Sequence, residues 1–230
     1  MTTTQTYEIT RQFYLFIKDK LFPCVGAKAA LARGHISCMV ANHMACPEDD
    51  PAILQFIYQF IGAYRQSGDL FHSAAVIFKE PVCVAENVFD RLLWQRLQSL
   101  ADADRENYAY DSRVSADPCS SEFSFSLGEE AFFVIGMHPS SGREARAFSY
   151  PAIIFNPHNQ FEKLKESEQF EKMKAVVRKR DLLFSGSVNP MLDDYGKRSE
   201  ARQYSGRQYN NQWQCPLKKV NGKSNNNTTA

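Results

Sequence analysis

The chain has 230 residues, 43% of them hydrophobic, and a formal net charge of +1. That length can bury the core of one large domain. The near-neutral balance supplies neither a basic field for nucleic acid nor an acidic face for a basic partner, so function must rest in a local site.

The N-terminal MTTTQTYEIT has no basic n-region and no apolar h-region, so no secretion signal is expected. Apolar stretches such as Ala131–Met137 fall far short of the roughly 20 residues of a membrane helix. The expectation is a cytoplasmic protein with no membrane contact, built as a single α+β domain over residues 1–219 with a disordered tail over 220–230.

Residues Tyr7–Leu21 carry Phe13, Phe16, Ile17 and Leu21 at helical spacing. The segment from Phe22 to Gly26 breaks that helix, and Ala27–Arg33 reads as a second one closed by Gly34. Ile36–Ala41 reads as a strand. Asp50-Pro51 then starts a helix whose face Ile53, Ile57, Ile61 and Tyr64 line up to Gly68. Ala74–Phe78 is a second strand, and an amphipathic helix from Glu86 carries Phe89, Leu92, Leu93, Leu97 and Leu100.

Asn107–Pro118 is polar and punctuated, the pattern of a surface loop. Glu122–Leu127 and Ala131–Met137 read as strands joined by Gly128-Glu129-Glu130, a hairpin of the longer kind. Pro151–Phe155 is a fifth strand. The helical stretch after it changes face, and Ser167 fits as an N-cap that restarts a second helix. From Asp181 onward the periodicity dissolves, yet Tyr, Trp, Met and Arg are interleaved, which predicts a long ordered C-terminal wrap. Adjacent strands predict a mixed or largely antiparallel sheet of about five strands with helices packed on it.

The sequence has no GxGxxG, no GxxxxGK[ST] and no GxSxG. Its six cysteines form no CxxC pair, and with no secretion signal expected they should be reduced and mostly buried as small apolar residues. His35, His43 and His72 have no patterned neighbours and read as structural or exposed.

Three segments concentrate chemistry. Phe132–Arg143 delivers His138 from an apolar strand into a hydroxyl-rich turn followed by Arg143 and Arg146, groups able to hold a carboxylate or phosphate. The alternative is a strand-capping histidine with solvated arginines. Ile153–Phe161 repeats the pattern with His158, whose neighbours Asn156, Asn159 and Gln160 can orient its ring, the alternative again being a structural histidine. Two histidines placed alike on successive strands suggest convergence on one pocket. The third segment, from Arg180 to Arg207, is dense in hydrogen-bonding groups and poor in core residues. Cys24 is either a reactive thiol or a buried structural one.

At GMHPSSGREARAF, YPAIIFNPHNQFEKL, RKRD with GSVNPML, SEARQYSGR followed by WQCP, and FPCVGAKAAL, the chain resembles the YqcI/YcgG family over nearly its whole length. That resemblance implies a haem-dependent enzyme similar to the N-hydroxylases of the guanitoxin and D-cycloserine pathways. Such an enzyme uses dioxygen as co-substrate to oxidise a guanidine or amine nitrogen of arginine or a related amino acid. The cofactor implied is haem b, with electrons from a separate donor protein, and the chain can act as a homodimer. His158 is favoured as the iron ligand over His138, with a thiolate of Cys24 or Cys215 as runner-up. Arg143, Arg146, Arg207 and Tyr204 then serve the cofactor. Asp181, Glu162 and Glu200 are the carboxylates for a guanidinium substrate. Competing readings are a non-enzymatic haem-binding sensor and a metal-independent acid–base enzyme using either histidine with a carboxylate.

Overall fold

A computed structural model of the chain describes residues 3–165, 169–187, 191 and 195–218. The described residues form six α-helices and five strands: α1 (Thr3–Lys18), α2 (Val25–Ala32), β1 (Ile36–His43), α3 (Asp50–Ser67), β2 (Ser73–Glu80), α4 (Glu86–Asp104), β3 (Phe125–Leu127), β4 (Glu130–Met137), β5 (Ala152–Pro157), α5 (His158–Lys165) and α6 (Gln169–Ser185). The sheet order is β1-β2-β5-β4-β3. β1 and β2 run parallel and every other pair antiparallel, which is the mixed sheet expected from the element order.

β2 lies inside the sheet and buries both faces. Ala74, Val76 and Phe78 meet α3 and α4, whereas Ala75 and Ile77 meet the cluster built by Ile9, Phe13 and Ile17 of α1. The period-2 alternation of a strand thus feeds two apolar layers at once. α3 opens with Pro51 in its first turn and stops at Gly68, whose φ of 65° supplies the left-handed cap.

Most boundaries shift by a few residues from the sequence pattern, α1 for instance running Thr3–Lys18, and three departures have a clear physical reason. β3 keeps only three residues, because Phe123 forms an isolated bridge to Ser115 instead of continuing the ladder. The hairpin is tighter than expected. Leu127 pairs directly with Glu130, and the two loop residues Gly128 and Glu129 take φ of 57° and 59°, the twist-matched turn of a two-residue hairpin. α6 continues past Asp181 to Ser185, with Asp181 held by Arg143, so a tertiary contact extends the helix where the apolar period has ended. The N-cap assigned to Ser167 and the tail over 220–230 lie outside the described residues.

Residues 195–218 form the ordered wrap, burying Ala201, Tyr204 and Tyr209. β3 reaches only the first residues of β4, and further along that edge the Tyr204 carbonyl accepts the Gly136 N–H at 2.6 Å. Arg207 and Tyr209 bind Asp90 of α4, and Trp213 stacks on Tyr209 at 4.1 Å. The wrap covers an edge that would otherwise expose unpaired backbone. Among the described residues, no helix is long and apolar enough to cross a membrane.

Candidate functional site

β4 and β5 run antiparallel, with Phe132 facing Pro157 and Met137 facing Ala152. Their C-terminal histidines therefore stand at opposite ends of the sheet, about 23 Å apart by the rise of a strand. A shared pocket, expected from the similar placement of His138 and His158, is excluded by strand direction. Two separate centres result.

The first surrounds His138. Its ring is fully enclosed and stacks on Phe89 of α4 at 4.2 Å, and neither ring nitrogen has a hydrogen-bond partner among the described residues. Burial, with the Arg146 charge beside it, pushes its pKa down to about 4, so the imidazole is neutral. The segment after β4 folds back through the His138 N–H, which donates to the Arg146 carbonyl at 3.0 Å. Arg146 is buried and donates to the Tyr204 carbonyl at 2.9 Å. Burial, reinforced by Arg143, lowers its pKa to about 10. Arg143, also buried, donates to Asp181 of α6 at 2.6 Å and to the Ser187 carbonyl at 2.8 Å. Among the described residues, two buried guanidinium groups stand against the single carboxylate of Asp181, a balance that favours an anion.

The second centre surrounds His158. Its Nε2 lies 3.3 Å from Glu162, and its Nδ1 lies 3.4 Å from the Ser124 hydroxyl and 3.8 Å from Glu200. Burial lowers its pKa, against the opposing pull of Glu162. Glu200 is buried and accepts from Ser124 at 2.7 Å and Tyr204 at 2.5 Å. Burial outweighs those bonds and raises its pKa to about 8, which favours the neutral acid. Burial and the Glu200 charge also push the Tyr204 phenol upward.

The proposed site residues divide accordingly. His138, Arg143, Arg146 and Asp181 come together, whereas Glu162, Glu200 and the Tyr204 phenol gather around His158. Tyr204 touches both groups, through its carbonyl and its phenol. Arg207 is engaged by Asp90 and anchors the wrap. The amides expected to orient His158 serve elsewhere. Asn156 bonds Ser73 and the Phe133 carbonyl, and Gln160 bonds the His72 backbone. Of GSVNPML, only Gly186, Ser187 and Met191 are among the described residues. Sequence patterning missed Phe89 and Ser124, which carry no signal beyond apolar periodicity and a strand hydroxyl. It also took residues 107–118 for a plain surface loop, yet Asp111 is buried and ties Arg113 and the Ala131 amide to the hairpin.

By donor type alone, the residues at His138 would suit an iron-bound haem. A neutral imidazole whose nitrogens have no partner among the described residues would hold the iron, Phe89 would supply an apolar wall, and Arg143 and Arg146 would hold carboxylate groups. The ring itself is fully enclosed in the fold. His158 fits less well, since both its nitrogens already face carboxyl or hydroxyl groups. Neither cysteine is set up as a thiolate. Burial raises the Cys24 thiol and pushes Cys215 to about 12. Burial of the cysteines is also less than expected, with Cys46, Cys83 and Cys119 exposed.

A family model described as the YqcI/YcgG family matches residues 13–218. The chain is 27% identical over 213 residues to the uncharacterized protein YqcI of Bacillus subtilis (strain 168), covering 88% of this chain and 83% of that protein. No solved structure matches the chain.

Proposed function

We propose, from the premise that the chain belongs to the YqcI/YcgG family, that it is a cytoplasmic haem-dependent oxygenase that N-hydroxylates a guanidine or amine nitrogen of arginine or a related amino acid. The observation that carries this reading is His138, a buried, neutral imidazole with both nitrogens unpartnered among the described residues, next to two buried guanidinium groups. Haem b, when bound, supplies dioxygen activation with electrons from a separate donor protein. His138 offers the iron ligand in place of His158. Arg143 and Arg146 hold carboxylates of the cofactor or the substrate. Asp181 is the one carboxylate of the three candidates on this side, and there it fixes Arg143.

Stoichiometric haem b added to purified protein should give a Soret band that His158→Ala keeps and His138→Ala loses. Arginine, reductant and oxygen should then give hydroxyarginine by mass spectrometry. Wild-type protein that gains no band overturns the reading. A band without product leaves a haem-binding sensor.

A second reading rests on the line Glu162–His158–Ser124–Glu200, along which the buried acid Glu200 can release its proton through Ser124 and His158 to the half-exposed carboxylate of Glu162. That equipment suits metal-independent acid–base catalysis. It predicts turnover without haem, a bell-shaped pH profile, and loss of both in His158→Asn.

A further inference from the structure

We propose that His35, Asp69 and His72 form a binding site for one divalent first-row transition-metal ion, separate from the His138 centre. Each side chain offers one ligand atom, and the three atoms lie within 4.8 Å of one another. Two imidazoles and one carboxylate with open positions are the donor set of catalytic zinc and of non-haem iron(II) sites.

The fold fixes the two histidines together. Each directly precedes one of the two parallel strands, Ile36 pairs with Ser73, and the Ser73 amide donates to the His35 carbonyl at 3.1 Å. The His72 backbone is held on its other side by Gln160, whose side chain accepts from the His72 N–H at 2.9 Å and donates to its carbonyl at 3.1 Å. Asp69 follows the left-handed cap of α3 and places a carboxylate oxygen 3.9 Å from His35 Nε2. Between Asp69 and His72, Phe71 adopts φ of 67°. A bulky aromatic residue is seldom found in that region, and the cost is met where a loop must aim its neighbours.

The chemistry of the cluster suits a cation. His35 Nδ1 is buried without a hydrogen-bond partner among the described residues. His72 Nε2 lies 3.1 Å from the Ser67 hydroxyl, which also takes the Asp69 N–H, so one serine orients both ligands. Asp69 is exposed and opens the cluster to solvent. The two rings lie face to face at 4.1 Å and 9°, so a shared ion requires one ring to turn out of the stack.

Zinc titrated into purified, reduced full-length protein against a competing chelator tests the site. One equivalent should bind, weakened about 10-fold or more in His35→Gln, His72→Gln and Asp69→Asn. Asp69→Asn changes an exposed side chain, so its effect is separable from misfolding by circular dichroism. Cobalt(II) should give d–d bands without a sulfur charge-transfer band, and histidine NMR should show the rings of His35 and His72 shifting together. Absent binding, affinity unchanged in all three variants, or a thiolate–cobalt band would each overturn the proposal.

Discussion

Gly136 and Tyr204 are joined backbone to backbone, the Gly136 N–H donating to the Tyr204 carbonyl at 2.6 Å, and the same carbonyl takes the Arg146 guanidinium at 2.9 Å. One peptide group of the C-terminal wrap thereby seals the edge of β4 and seats the arginine beside His138. The contact is close enough to forbid a side chain. A Cβ on Gly136 would stand 2.9 Å from the Phe89 ring and 3.1 Å from the Tyr204 carbonyl. Gly136→Ala should destabilise the protein by ~1–3 kcal/mol through overpacking, read as a lower urea midpoint at unchanged m-value.

Glu200 makes stability fall as pH rises. Its folded pKa of about 8 lies above the ordinary carboxyl value of 4.5, so its contribution is fully present below 4.5 and is lost as pH climbs through 8. The loss is at most ~1.4 kcal/mol per pH unit across that window. Glu200→Gln keeps an acceptor for Ser124 and Tyr204 without the ionisation. Thermal melts from pH 5 to 8 should therefore show the variant gaining on wild type as pH increases. Parallel curves would place the ionisation elsewhere.

His138 acts with the opposite sign. Its folded pKa of about 4 lies below 6.5, so its contribution is present above 6.5 and is lost as pH falls through 4. The His138 ring protons should keep neutral shifts down to about pH 4 in an NMR titration, whereas a shift change near pH 6.5 would show a solvated ring. His138→Asn should remove this part of the acid sensitivity.

The Arg143–Asp181 pair should show strong coupling. Asp181→Asn leaves Arg143 buried without its carboxylate and should cost ~3–5 kcal/mol, as should Arg143→Met. The double variant should cost clearly less than the sum, which a denaturation cycle measures. Additive costs would mean that the pair does not act as a unit.

Much of the architecture was legible along the chain. The helix starting at Asp50-Pro51 and ending at Gly68, and the amphipathic run from Glu86, were readable because caps and periodicity are local. The hairpin was readable as a hairpin but not in its turn type, because Glu129 adopts a left-handed φ that its residue type does not advertise. Asp111 was unreadable as a structural acid, since its partners Arg113 and Ala131 only converge on it in the fold.

The candidate site divides along the same line. His138 and His158 looked alike because each ends an apolar strand, and that much the sequence determined by itself, together with the family and the mixed sheet. Only the tertiary structure decided that the strands run in opposite directions, which sends the histidines to opposite ends. It also left the nitrogens of one ring without partners among the described residues and set those of the other between carboxyl and hydroxyl groups. Strand direction and hydrogen-bond partners are long-range properties, set by which distant segments bury one another, and a local residue pattern does not encode them.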